Sequence, residues 1–199
     1  MIEFDDAVLA VLKGLDSDVL AHSIRVQALA VALGKKIGLV SAELAQLRMG
    51  ALLHDLGKKK IYSSILKKKK PLSAREKETF QLHPIFGWNE VVSLELDDAV
   101  KRMVLEHHLW ADGKGGYPSC FENTQPSELT QILTVANVVD ILTSAERSGR
   151  CALSLKTCLQ YLERNAGTKF NSEIIELLKK WLSQKRLNSI YRGAVRKVV

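Results

Sequence analysis

The sequence has few of the residues that break regular structure or cross-link a chain. Its 199 residues include 4 prolines, 12 glycines and 3 cysteines, which excludes a collagen-like chain and a chain disordered over most of its length. Cys120, Cys151 and Cys158 are odd in number and form no Cys-x-x-Cys pair. This pattern argues against a disulfide framework and against a cysteine zinc site.

Long apolar runs are also missing. No stretch approaches the ~20 consecutive apolar residues that a bilayer-spanning helix needs. Residues 1–16 are acidic where a secretory signal peptide would be basic. We therefore expect a cytoplasmic protein with no membrane contact. The 46% hydrophobic and 26% charged residues are typical of a globular chain, and the length predicts one domain over residues 1–199.

Basic residues outnumber acidic residues in this sequence. Lys plus Arg number 29 against 22 Asp plus Glu, for a net charge of +7, which favours an anionic partner without identifying it. The run from Lys67 to Lys70 has two interpretations, a solvated loop and a set of phosphate contacts. The solvated loop is the commoner case for such runs, and we do not expect a nucleic acid partner.

Apolar residues recur at intervals of three and four along almost the whole chain. No segment alternates over six or more residues, as a half-buried strand would. The sequence therefore predicts an all-α fold. The recurring positions are Val26, Leu29, Leu33 and Ile37; Leu44, Leu47 and Ala51; Val100 and Val104; Ile132, Val135 and Val139; and Ile174, Leu177, Leu178 and Leu182.

Helix start and stop residues divide the chain in the same way. Gly38 is placed to end the second helix, and Ser41 is placed to cap the third. Ser73 and Glu76 form a capping box that opens a helix running to His83. Residues 111–126 are the one long non-helical connection, and loops of that length are usually functional. Residues 186–199 alternate basic and apolar types, which predicts a loosely docked tail.

The five histidines occupy similar places, at or near an end of a helix that has an apolar face. Imidazole nitrogen and carboxylate oxygen are ligands suited to iron, manganese, zinc or nickel, and an adjacent His54-Asp55 pair offers both. Five imidazoles exceed the three or four protein ligands of one tetrahedral site, which favours two metals. The alternative for each histidine taken singly is a structural or surface role. The histidines are His22, His54, His83, His107 and His108.

Taken in order, the histidine motifs resemble the HD-GYP family of bacterial cyclic di-GMP phosphodiesterases. The resemblance is strongest over residues 16–175 and includes every histidine. The matching motifs are His22-Ser-Ile-Arg-Val, His54-Asp55-Leu-Gly-Lys58, His83-Pro-x-x-Gly87, His107-His108, and Gly116-Tyr117-Pro118.

The resemblance implies a helical HD-superfamily fold and a centre of two divalent transition metal ions. Iron and manganese are the first expectations for the ions, with zinc and nickel as alternatives. Asp55 would bridge the ions and, with Lys58, would take part in catalysis. The implied metal ligands are His22, His54, Asp55, His83, His107, His108 and Asn137.

The resemblance also implies a substrate and a partner. The substrate would be cyclic di-GMP, opened to the linear dinucleotide pGpG, to GMP, or to both. GGDEF-domain proteins are the partners that the family suggests. The implied substrate-binding residues are Lys58, Gly116, Tyr117, Pro118 and Arg147.

Three features depart from the family pattern, and one of them is a longer segment over residues 144–150. Asn137 stands where the last metal-binding aspartate is expected, and Leu109 stands where the family usually has Glu. An amide oxygen binds metal without a charge, so we expect one ion to be held more weakly. Asp140, one helical turn after Asn137, is an alternative ligand. Two other functions therefore stay open: a weakened domain that binds a nucleotide or a protein, and a phosphohydrolase acting on another nucleotide.

Overall fold

The computed structural model describes residues 6–121, 123–144 and 151–195. In these ranges the chain forms α-helices and no named strand, which confirms the all-α prediction. None of the helices in these ranges has the length and apolar character needed to cross a bilayer. The helices are α1 (Asp6–Leu12), α2 (Ser17–Ile37), α3 (Ser41–Leu53), α4 (Ser63–Leu66), α5 (Ala74–Phe80), α6 (His83–Val91), α7 (Asp98–Glu106), α8 (Glu128–Thr143), α9 (Leu155–Arg164), α10 (Ser172–Trp181) and α11 (Gln184–Val195), with 3₁₀ helices at Leu56–Lys60 and Ser119–Phe121.

Helix α2, with 21 residues, lies at the centre of the fold. It packs against α3, α8 and α11. Val26, Leu29 and Leu33 are fully buried on its core face, as their spacing predicts. Gly38 ends the helix in the left-handed conformation, with φ of 104°, and its N–H donates to the Gly34 carbonyl at 3.0 Å. The predicted end of α2 is therefore confirmed.

The predicted cap of α3 is displaced by one residue. Val40 is the N-cap and Ser41 is the first helical residue. The N–H of Val40 donates to the carboxylate of Glu43 at 2.9 Å. Because Glu43 already accepts from the backbone at this helix start, α3 begins without a serine at the N-cap.

His83 begins a helix, whereas the sequence analysis placed it at the end of one. The capping box at Ser73 and Glu76 is confirmed by N–H to oxygen distances of 2.7 and 3.4 Å. The helix that it opens, α5, ends at Phe80, and α6 then starts at His83 with Pro84 in its first turn. Proline lacks an N–H and fits the first turn of a helix, where no N–H is needed.

Helix α11 occupies most of the region where we expected a loosely docked tail. It packs on α2, and the Leu187 side chain is buried. The apolar residues Leu187, Ile190, Tyr191 and Ala194 recur at three and four between basic residues, and this helical period outweighs the alternation of charge. Residues 196–199 lie outside the described residues.

Candidate metal centre

Helix ends and the second turn of α2 bring the predicted ligands together in one buried site. His22 comes from α2, the pair His54 and Asp55 follows α3, His83 begins α6, and His107 follows α7. All five side chains are fully buried. His108 lies beside them and is half-buried.

The ligand atoms form two groups. In each group the atoms lie within 4.8 Å of one another. This spacing allows one ion to contact three side chains at a time. The first group is His22, His54 and Asp55, and the second is His83, His107 and His108.

The carboxylate of Asp55 lies between the two groups and presents one oxygen to each. Its Oδ2 lies 3.4 Å from Nε2 of His22 and 3.4 Å from Nε2 of His54. Its Oδ1 lies 3.4 Å from Nε2 of His83 and 3.9 Å from Nε2 of His107. This arrangement is the one needed for a carboxylate that bridges two cations.

Three of the histidine rings are oriented by the backbone. In each ring, Nδ1 is within hydrogen-bond distance of the carbonyl oxygen three residues earlier. The distances are 2.8 Å for His54, 2.8 Å for His83 and 3.0 Å for His107. A carbonyl only accepts, so Nδ1 carries the proton and Nε2 keeps its lone pair. Hydrogen bonds of this kind orient imidazole ligands toward a metal.

Two Nε2 atoms face each other in a way that suits a cation. Nε2 of His83 and Nε2 of His107 lie 3.2 Å apart, and both carry lone pairs. Burial, the largest influence, lowers the pKa of His83 to about 3 and the pKa of His107 well below its usual value, so both rings are neutral at pH 7. Nε2 of His54 is buried with no hydrogen-bond partner within the described residues. These residues therefore fit a metal ion.

His22 is oriented by a side chain. Its Nδ1 lies 2.7 Å from Oδ2 of Asp140. Arg25 donates to the same carboxylate, from Nε at 2.8 Å and from Nη2 at 3.1 Å. Burial alone would raise the pKa of Asp140, but hydrogen bonds from His22 and Arg25 hold it at about 2. Asp140 is therefore ionised and lies behind His22.

Asn137 is buried on α8 and faces the same region. One turn before it, the Thr134 hydroxyl donates to the His107 carbonyl at 3.0 Å, and one turn after it lies Asp140, which contacts His22. Asn137 Oδ1 is buried and has no hydrogen-bond partner among the residues described. Its position between two site contacts suits an oxygen ligand.

Lys58 brings a positive charge into the site. Its side chain is almost fully buried, with Nζ 2.5 Å from Oδ2 of Asp55 and 5.4 Å from the centre of the Phe80 ring. Burial alone would raise the pKa of Asp55, but electrostatic interactions with His54 and Lys58 hold it well below the usual value. The bridging carboxylate is therefore ionised.

The loop after α7 places an aromatic ring over the site. Tyr117 stacks on His108 with ring centres 4.3 Å apart and an interplanar angle of 24°. Gly116 has a φ of 97°, and a Cβ there would lie 2.1 Å from the His108 carbonyl oxygen. This close approach requires glycine and holds Tyr117 against His108. Pro118 follows and is buried, whereas Arg147 lies outside the described residues.

The sequence analysis did not find the role of Arg25. Its signals were its place in the motif His22-Ser-Ile-Arg-Val and its position three residues after His22, on the same side of α2. Its partner Asp140 is 115 residues away in the chain. That separation is why no local pattern indicated the pair.

The chain matches one protein family model. The model described as HD domain matches residues 19–143. This range includes all seven predicted metal ligands, from His22 in α2 to Asn137 in α8.

Two curated proteins are similar in sequence. A 3'3'-cGAMP-specific phosphodiesterase 3 of Vibrio cholerae is 33% identical over 81% of this chain and 35% of its own length. The cyclic di-GMP phosphodiesterase response regulator RpfG of Xanthomonas campestris is 31% identical over 72% of this chain and 38% of its own length. The chain thus spans little more than a third of the length of these relatives.

A solved structure has the same fold. The HDG"Y"P protein from Bdellovibrio bacteriovorus aligns with a TM-score of 0.65 and 21% identity, over 88% of this chain and 56% of that protein. At this identity the likeness concerns the fold.

Proposed function

We propose, on the premise that the chain belongs to the HD domain family, that it is a metal-dependent phosphodiesterase that hydrolyses a cyclic dinucleotide. Cyclic di-GMP is the substrate that we propose first, with pGpG, GMP or both as products. The observation that carries the proposal is the position of Asp55, with Oδ2 facing His22 and His54 and Oδ1 facing His83 and His107. The names of the relatives support the substrate class, because one is a cyclic di-GMP phosphodiesterase and another is specific for 3'3'-cGAMP.

Each group of side chains would hold one divalent ion. We propose iron or manganese, with zinc and nickel as alternatives. Such a pair of ions, when bound, lowers the pKa of a water and neutralises charge on a phosphodiester. The first ion would be held by His22, His54, Asp55 and Asn137, and the second by Asp55, His83, His107 and His108.

Other side chains of the site would bind and orient the substrate. Lys58 keeps an ammonium beside Asp55 in a buried place, where its charge stabilises the charge that develops on a phosphate. Tyr117, held on His108 by the turn at Gly116, would contact the substrate together with Gly116 and Pro118. Arg147 stays a proposed phosphate contact. The loop that contains Gly116, Tyr117 and Pro118 is the proposed contact for GGDEF-domain proteins.

A second function is favoured by Asn137. The first group has Asp55 as its one carboxylate ligand, and Asp55 also faces the second group. If the first ion is held weakly, the domain would bind a cyclic dinucleotide but hydrolyse it slowly. Its task in the cytoplasm would then be to bind the nucleotide or a partner protein. The two functions differ in rate, whereas their predicted ligand site is the same.

Metal analysis combined with a hydrolysis assay tests the proposal. Protein purified with added Mn²⁺ is incubated with cyclic di-GMP and with 3'3'-cGAMP, and linear products are separated by chromatography. We expect metal-dependent product from at least one substrate and none from Asp55→Ala. Binding without turnover supports the second function. Metal-replete protein that neither binds nor cleaves either substrate contradicts both.

A further inference from the structure

We propose that Arg25 and Asp140 are positioning residues of the metal centre. Their ion pair holds the Nδ1 proton of His22 and so directs the Nε2 lone pair of that ring toward the first ion. This inference rests on the proposed function, since it concerns the same metal centre. It assigns a task to two residues outside the proposed set of metal ligands and substrate contacts.

His22 needs a side-chain partner because of its place in the fold. The other three oriented rings bond to carbonyls near a helix end, such as that of Phe80, the last residue of α5. The last carbonyls of a helix have no N–H partner within the helix and remain available. His22 lies inside α2, four residues or more from both ends. Nearby carbonyls there accept helical hydrogen bonds, so an acceptor must come from another element.

The carboxylate of Asp140, on α8, is that acceptor. Oδ1 accepts from Arg25 Nε at 2.8 Å and from the Ser144 hydroxyl at 3.1 Å. Oδ2 faces Arg25 Nη2 at 3.1 Å and His22 Nδ1 at 2.7 Å. Since donors surround both oxygens, Nδ1 of His22 is protonated and its Nε2 faces Asp55 with a lone pair.

The Arg25–Asp140 pair supports the same ion for which Asn137 is the proposed neutral ligand. A carboxylate behind an imidazole raises the basicity of the ring as a ligand, and loss of such a partner typically weakens metal binding by about 10- to 100-fold. The neutral amide of Asn137 adds no charge to the first group. Asp140 therefore supports, through His22, the ion that has the weaker set of direct ligands.

Replacing Asp140 by Asn tests the inference. Arg25 donates to both oxygen positions, and its shorter contact, from Nε at 2.8 Å, is to Oδ1. We expect the amide oxygen at that position, which leaves the NH₂ group facing His22. That NH₂ donates to Nδ1 and shifts the ring proton to Nε2, the atom that must bind metal. We expect Asp140→Asn to bind one Mn²⁺ as the unchanged protein does and the other about 10- to 100-fold more weakly, by titration with free Mn²⁺ measured by EPR.

Ser144→Ala is the matched control. It removes a neutral hydrogen bond from the same carboxylate but leaves both Arg25 and His22 in contact with it. We expect its two Mn²⁺ affinities to stay close to those of the unchanged protein, because Asp140 still accepts from Arg25 and from Nδ1 of His22. Equal weakening in both variants overturns the inference.

A spectroscopic measurement on the unchanged protein avoids any folding defect of a variant. In protein loaded with diamagnetic Zn²⁺, long-range ¹H–¹⁵N spectra distinguish the protonated from the metal-bound nitrogen of each histidine. We expect His22 to have a proton on Nδ1 and metal on Nε2. Metal on Nδ1, or unchanged affinity for both ions in Asp140→Asn, overturns the inference but leaves the proposed function intact. If the unchanged protein binds no metal at all, both fail.

Discussion

The backbone of Gly57 lies so close to the backbone of Gly87 that Gly57 has no room for a side chain. A Cβ atom at Gly57 would lie 2.3 Å from the Gly87 nitrogen and 2.0 Å from the His83 carbonyl oxygen. The contact joins the 3₁₀ helix that follows Asp55 to the first turns of α6. The two glycines therefore set the distance between Asp55 and His83.

Gly57→Ala is expected to disturb stability and metal binding together. The added methyl group meets backbone atoms, which cannot rotate away, and overpacking of this kind costs about 1–3 kcal/mol. Denaturant unfolding of the metal-free protein measures the loss, and metal analysis measures the displacement of His83. Gly193→Ala is the control, because a Cβ at Gly193 meets nothing within 4 Å. A change in stability that is the same in both variants would contradict the account.

His54→Ala is expected to remove much of the stabilisation that metal confers. A ligand that binds only the folded state stabilises it by about 2.7 kcal/mol when its concentration is 100 times its Kd. We therefore expect added Mn²⁺ to raise the melting temperature of the unchanged protein more than that of the variant. Differential scanning calorimetry with and without chelator measures the two shifts. Equal shifts would show that the metal binds away from His54.

Lys58→Met is expected to lower kcat/KM by about 10²- to 10³-fold, the usual effect of removing one group that stabilises transition-state charge. Lys69→Met is the comparison, because Lys69 lies in the exposed lysine run. Its loss should leave kcat/KM near that of the unchanged protein, as a solvated loop predicts. Steady-state hydrolysis of cyclic di-GMP measures both variants. A large loss for Lys69→Met would favour phosphate contacts along the run.

Asn137→Asp is expected to raise both metal occupancy and hydrolysis rate. A carboxylate in this buried position adds a full charge opposite a dication, an interaction larger than the ~1 kcal/mol or less of exposed ion pairs. Mn²⁺ titration and product formation under limiting metal measure the two effects. If the unchanged protein is already metal-replete and fast, and Asn137→Asp changes neither quantity, the amide oxygen is a sufficient ligand.

The sequence predicted which helices form the site better than it predicted where a site residue lies within a helix. Apolar spacing predicted the core face of α2, and the capping box at Ser73 predicted the start of α5. The sequence analysis placed His83 at a helix end because Pro84 follows it, yet proline is equally suited to the first turn of a new helix. Local patterns do not distinguish these two places.

Contacts between distant parts of the chain were beyond the sequence patterns. Arg25 and Asp140 belong to different helices, and their pairing depends on how α2 packs against α8. Tyr117 is close to His108 in the chain, but its ring reaches that of His108 only because the loop turns back at Gly116. Such contacts follow from tertiary packing, which a single sequence does not display.

The number and coupling of bound ions test the central claim most directly. Metal-free protein is titrated with Mn²⁺, and EPR spectra are recorded together with the metal content per chain. If Asp55 bridges two ions, as its two oxygens are placed to do, the loaded protein contains two Mn²⁺ per chain with the spectrum of a magnetically coupled pair, and Asp55→Ala loses the coupling. A single uncoupled Mn²⁺ per chain, unchanged in Asp55→Ala, would contradict the account.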